Sequence, residues 1–250
     1  HAQSYLFIPR PKKAVELGII LSTSHVACFD NLRNFDATVS DNLCVAATRG
    51  TISSRQLYTN SGLSIELLHG AVILSGIHDF IVQSDLAQRC LPITTLPIEP
   101  HDRRSEAELM KDFQEDRPVI FRGLLELAST TLSNLGNAVI TKPQRMIEFS
   151  KWIAAMEVTD RVATGTYQEL YHKALTGAQL NSLLENTLGA AVIDFTGALH
   201  ANEWSGTPQE LLDELDSYVN ERTVRSREWP KTSSSLSKRL RALASSLQTQ

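Results

Sequence analysis

The sequence predicts an α/β segment followed by an all-α one. Three observations carry this. In the first hundred residues, short apolar runs alternate with helical patterns. From 104 to 176 the 3.6-residue periodicity is nearly unbroken. The last seventy residues read as helix, short strand, helix, longer turn and basic helix. A chain of 250 residues is expected to form one large domain or two smaller ones, at about 150 residues each. The divisions expected are 1–100, 101–177 and 178–250.

The elements follow in order. "YLFI" (5–8) reads as a strand and "KKAVELGIILS" (12–22) as a helix. "HVACFD" (25–30) is a strand that ends on an acid. "SDNLCVAAT" (40–48) has helical spacing, with Ser40 or Asp41 as its cap. "GAVILSGI" (70–77), bounded by glycines and too short for a helix, suits a strand buried on both faces. "CLPITTLPI" (90–98) is expected as an edge strand, because Pro92 and Pro97 cannot donate to a ladder. "SEAELMKDFQEDR" opens with a Ser105-x-x-Glu108 capping box, and "PVIFRGLLELASTTLSNL" is expected to start a new helix at Pro118. "QRMIEFSKWIAAM" and "TYQELYHKAL" follow. Three more helices are expected at 183–200, 207–219 and 232–248, with "EWSG" as a short strand between the first two. That order is the one of a winged helix, a helix-turn-helix variant.

Composition narrows the function. An apolar fraction of 42% is ordinary for a globular chain. No apolar run approaches the roughly 20 residues a membrane span needs, and no signal peptide opens the chain. It begins at His1 rather than Met, the expectation for a processed or excised part of something longer. Cys28, Cys44 and Cys90 are too scattered for a disulfide framework or a zinc site, so a reducing cytoplasm is expected. The histidines show no paired ligand spacing, and no Gly-x-Ser-x-Gly elbow is present.

Charge is distributed unevenly. Residues 185–220 hold seven acids and no Lys or Arg, whereas 221–250 hold seven bases against two acids. A basic end on an acidic chain is a footprint for nucleic acid; a solvated helix surface is the other reading. In the last helix Leu236, Leu240, Leu243 and Leu247 form an apolar stripe, and Ser234, Lys238, Arg241 and Ser245 fall opposite. Lys238, Arg239 and Arg241 are the candidate DNA contacts of a recognition helix. An ordinary amphipathic helix with basic decoration gives the same pattern.

In an α/β nucleotide-binding domain, the acid that ends a buried strand sits where ligands bind. A carboxylate there holds magnesium beside a triphosphate. Asp30 suits that role, with Asn31 placed to orient the attacking water. An Asx-turn or helix cap after the strand explains the same two residues.

"FDNLRNFDATVSDNLCVAATRGTISSRQLYTN", followed by "GAVILSGIHDFIVQSDLAQRCLPITTLPIEPHDRRSEAEL", resembles the helicase-type ATPases of phages and integrated mobile elements. These are often fused to a primase-polymerase and are related to the primase-helicases of helicase superfamily 3. The resemblance continues through "RPVIFRGLLELAS", "QRMIEFSKWIAAME" and "WSGTPQELLDELD" to "REWPKTSSSLSKRLRALA", and so covers nearly the whole chain. It implies a partial AAA-like P-loop core, a helical lid and a truncated winged-helix-like domain. It implies that Asp30 and Asn31 are the acidic, metal-binding motif and that Ser75 lies in the sensor strand. Arg55 and Tyr58 become candidates for DNA or subunit contact. Arg89 takes the place of an arginine that reaches a neighbouring subunit's nucleotide, and Arg145 is a further candidate in the lid.

Three departures accompany the resemblance. Ser75 stands where the family usually has Asn. Arg49-Gly50 replaces a Gly-Gly pair, which removes one conformationally permissive residue. No G-x-x-x-x-G-K-[ST] occurs; none of the twelve glycines precedes a Lys. The expected function is therefore part of a mobile-element replication ATPase, whose complete parent uses ATP and Mg²⁺ to unwind DNA as a homo-oligomeric ring. This chain alone is expected to be inactive. The alternative is a non-catalytic DNA-binding or oligomerisation protein with a degenerate core.

Overall fold

The computed structural model describes residues 14–33, 37–55, 63–68, 71–77, 81, 83–199 and 203–248. The strand expected at 5–8 and the candidate Tyr58 lie outside them. The chain divides into two compact units, one of residues 91–175 and one of residues 1–90 with 176–250. Helices predominate among the described residues, beside a two-stranded parallel sheet and an antiparallel hairpin.

The first ninety residues build α1 (Ala14–Thr23), β1 (Val26–Phe29), α2 (Ala37–Ala47), β2 (Thr51–Arg55), β3 (Leu63–Leu67), β4 (Ala71–Leu74) and α3 (Ser84–Ala87). β1 pairs with β4 in parallel, Val26 facing Ala71 and Phe29 facing Leu74. The crossover that a parallel pair requires is made by α2 and the β2–β3 hairpin. Leu17 and Leu21 of α1, Ala27 and Phe29 of β1, and Val39 and Leu43 of α2 are buried together. The apolar alternation of β1 thus has a direct use: one face of the strand enters this core.

Three expectations change here. α2 begins at Ala37, so Ser40 is a buried residue inside the helix rather than its cap. β4 is not buried on both faces: Val72 and Leu74 pack on the core, but Ile73 is 55% exposed. The apolar run signalled burial without saying how many layers were there to provide it. Residues 91–99 are irregular rather than an edge strand; with Pro92 and Pro97 lacking donors, few ladder bonds remain to gain.

The 91–175 unit holds α4 (Glu106–Asn134), α5 (Ile147–Asp160) and the first half of α6 (Thr166–Glu185). The Ser105–Glu108 capping box is formed in both directions. α4 then runs straight past Pro118, which was expected to begin a second helix. Its surroundings are exposed, so the carbonyl that loses an amide partner can be met by water and the cost falls. In the rest of this unit Ile153, Tyr171 and Leu175 form the core, with Phe149 set edge-on to Tyr171 at 5.3 Å.

The C-terminal residues form α7 (Thr187–Gly197), α8 (Pro208–Asp216), α9 (Glu221–Arg225) and α10 (Ser233–Leu247). The helix expected from 183 is divided at Asn186, whose side chain caps α7 by accepting from Leu188 and Gly189 N–H. Gly189 is required there, because a Cβ would lie 2.4 Å from the Leu183 carbonyl oxygen. "EWSG" is irregular rather than a strand; Trp204 packs edge-on against Phe195 instead. Thr232 caps α10, as the turn "WPKTSSS" predicts. Leu188, Phe195, Leu212, Leu215, Trp229 and Leu236 make the core of these helices. Trp229 is 1% exposed and donates its indole N–H to Asp216 at 2.7 Å.

Candidate functional site

The parallel register leads directly to the candidate site. One step beyond the Phe29–Leu74 pair, Asp30 and Ser75 leave the carboxyl ends of β1 and β4 side by side. The Ser75 hydroxyl donates to the Asp30 carboxylate. Backbone bonds fix both exits: Ser75 N–H donates to Phe29 O at 2.9 Å, and Leu32 N–H donates to Ser75 O at 3.0 Å. Between them Asn31 adopts φ 55°, in the left-handed region that asparagine tolerates better than most residues. This turn explains why an apolar strand stops on an acid. Leu32 must come back into the core, where it is 2% exposed, and Asp30–Asn31 make the corner.

Asp30 is exposed. The Ser75 hydroxyl and then the Asn31 backbone N–H hold its carboxyl below the usual carboxylate range, against a smaller opposing effect of desolvation. An ionised carboxylate has about four acceptor positions, so two donors leave it able to take more. Among the described residues no three His, Cys, Asp or Glu side chains cluster as a metal site. A cation at Asp30 would therefore need most of its ligands from water or from a bound anion. Magnesium beside phosphates is bound in that manner, through one or two carboxylates.

Sequence reasoning placed Asp30, Asn31 and Ser75 in one site, and the structure brings these three together. Arg89 is engaged elsewhere. Its guanidinium reaches Asp85 Oδ2 at 2.6 Å and the Asp85 carbonyl oxygen at 2.8 Å, and its side chain is only 13% exposed. The buried Cys44 thiol of α2 also hydrogen-bonds to Asp85; burial first, and then that carboxylate, push it up to about 12. Asp85 is thus a junction between α2 and the end of α3 that spacing did not reveal. Arg55 is the last residue of β2, and its backbone pairs with Leu63.

Of the α10 cations, Lys238 and Arg241 are exposed. Arg239, the candidate beside their face, is half-buried and donates to the Glu228 carbonyl oxygen. The reason is angular: Arg239 follows Lys238 by about 100° around the helix, and that turns it toward the incoming chain.

The most heavily bonded carboxylate was missed by sequence reasoning. Glu157 is 2% exposed. It accepts from Gly165 N–H at 2.8 Å, Tyr167 N–H at 2.7 Å, Gln168 N–H at 3.0 Å and Gln168 Nε2 at 2.9 Å. Burial alone would raise its pKa, but the four donors together outweigh that and hold it below the ordinary range. Gln168 continues the network, accepting from Thr141 N–H at 2.7 Å and donating to the Val139 carbonyl oxygen at 3.1 Å. One signal was available in the sequence: Glu157 falls four residues after Ile153, on the buried side of α5.

A family model described as "Actinomycete integrative conjugative element replication protein" matches residues 7–175. A second, described as "AICE RepA C-terminal domain", matches residues 188–250. No curated protein and no solved structure matches the chain.

Proposed function

The chain belongs to the replication proteins of actinomycete integrative conjugative elements, and on that premise we propose that it carries half of a magnesium–nucleotide site and a DNA-contacting end of a helicase-type ATPase. The observation that supports this most is the Ser75–Asp30 hydrogen bond across the ends of the parallel β1–β4 pair. Ligands of open α/β sheets bind at that edge. In this reading Asp30 holds the magnesium ion, Asn31 orients the attacking water and Ser75 contacts the phosphate end. MgATP would supply the phosphoryl group and the energy for unwinding. The phosphate-cradling loop and its lysine are absent from the 250 residues, so the chain by itself should show no ATP turnover above background.

Arg89 would serve a neighbouring subunit's nucleotide in a ring only after leaving Asp85. Lys238 and Arg241 of α10, with Arg55 at the end of β2 and Tyr58, would contact DNA. In a longer chain that includes a phosphate loop, Asp30→Ala should abolish magnesium-dependent ATP hydrolysis while circular dichroism stays unchanged. A wild-type rate in that variant would reduce Asp30 to a turn residue. Hydrolysis by the present chain that vanishes in Asp30→Ala would equally overturn the half-site reading.

A second reading, a non-catalytic DNA-binding or oligomerisation protein, draws on two observations. Arg89 is spent on its own turn, and Arg49 sits at φ 53° where the resemblance has glycine. DNA binding indifferent to nucleotide in that longer chain would favour it.

A further inference from the structure

The outer face of α10 is not where the positive charge of the C-terminal helices is densest. Arg222, Arg225 and Arg227 lie on or just after α9 and are all exposed. Two more cations reach this same segment: Lys231 Nζ donates to the Val224 carbonyl oxygen, and Arg239 donates to that of Glu228. Five basic side chains therefore surround the stretch from Arg222 to Glu228. Its one acid is the exposed Glu228, and the adjoining Glu221 is held by Arg225 at 3.0 Å. Among the described residues no ion pair engages Arg222 or Arg227.

Glu221, Arg222, Arg225 and Ser226 line an open groove of about 550 Å³. The neighbouring helix has the opposite character, since Glu210, Asp213 and Glu214 of α8 are exposed. A polyanion is repelled from α8 and attracted to the α9 turn, so the charge pattern sets which way it approaches. Guanidinium groups bind phosphate through paired N–H donors, a geometry lysine lacks. The exposed cations of the 222–228 stretch are all arginines, with Glu228 exposed beside them.

We propose that Arg222, Arg225 and Arg227 form a phosphate-backbone contact for DNA at the turn closing α9, in addition to Lys238 and Arg241 on α10. This rests on the DNA-contacting part of the reading above and adds a site to it. Contacts of this kind fix register on the duplex and carry no base specificity.

The test measures binding of labelled duplex DNA across a salt series for three variants of the chain. R222A/R225A/R227A should flatten the slope of log affinity against log salt by about 2.7, from about 0.9 per phosphate contact. Between about 50 and about 200 mM salt, that slope corresponds to a roughly 40-fold smaller loss of affinity. K238A/R241A should flatten the slope by about 1.8. R222K/R225K/R227K, which keeps the charge, should retain most of the slope. The substituted side chains are all exposed, so melting curves should coincide for all three variants. An unchanged slope in the α9 alanine variant, with a flatter one in the α10 variant, overturns this site but leaves the DNA reading intact. Unchanged slopes in both overturn the DNA reading itself. A lysine variant as impaired as the alanine one, or an alanine variant that melts early, would mean the arginines hold the turn and do not meet DNA.

Discussion

Asp30 and Glu157 are both carboxylates held below the usual range by hydrogen bonds, yet they have opposite characters. Glu157 is sealed between α5 and the start of α6, with four N–H donors filling its acceptor positions. Asp30 stands in the open at the end of a strand, with one hydroxyl and one backbone N–H. A saturated, buried carboxylate has nothing left for a ligand, and its charge is used in holding the chain together. An exposed and half-satisfied one contributes little to packing and retains acceptors for a cation. The low pKa is common to both and therefore does not distinguish them; free acceptor capacity does.

The sharpest way to break this comparison is to truncate each side chain. Glu157→Ala strands three backbone N–H groups and the buried Gln168 amide, and should destabilise the 91–175 unit by about 3 kcal/mol. Asp30→Ala should lower the denaturation midpoint far less, because the side chain is exposed and holds only one hydroxyl and one backbone N–H. Urea titration followed by circular dichroism reads both. A similar loss in the two variants would erase the distinction.

Acid titration gives a smaller effect with a defined sign. The folded-state pKa of Glu157 is depressed. Its contribution is therefore full above the unfolded carboxylate value and disappears as pH falls through the folded one. Urea midpoints from neutral pH to about pH 3 should fall less steeply in Glu157→Gln than in the wild type, because Gln has no proton to take up. Equal slopes would mean that the four donors do not favour the ionised form.

The smallest effect concerns the corner before the hairpin. Arg49 adopts φ 53°, where a Cβ costs about 1 kcal/mol. Arg49→Gly relieves that strain but adds freedom to the unfolded chain, so a midpoint unchanged or raised by up to about 1 kcal/mol is expected. Gly50→Ala should destabilise, because its Cβ would lie 2.5 Å from Val45 Cγ1 and 3.1 Å from the Val45 carbonyl oxygen. A stable Gly50→Ala would show that α2 can yield at its end.

Local signals were legible wherever a short stretch of chain settles its own structure. The Ser105–Glu108 box, the Thr232 cap, the stripe of α10 and the acid that closes β1 were all readable from spacing. Asp30 and Asn31 were read from the strand end and Ser75 only from the family resemblance; the Ser75–Asp30 hydrogen bond joins them. Pro118 misled because its helix-starting preference is a local rule, and an exposed helix can absorb the missing bond. "EWSG" misled because Trp204 gains more by packing on Phe195 than its segment gains from strand geometry.

By itself, then, the sequence determined where the longer helices lie, that β1 and β4 are apolar strands, where the basic end lies and that a phosphate loop is missing. These follow from propensity, capping and periodicity, which act within a few residues. Only the tertiary structure decided that Arg89 belongs to Asp85, that Arg239 turns onto Glu228, and that Glu157 is buried under four N–H donors. Each depends on which side chains meet and how much water is left between them. Burial raises the free energy of a charge until donors compensate it, and no spacing along the chain encodes how many donors the fold will deliver.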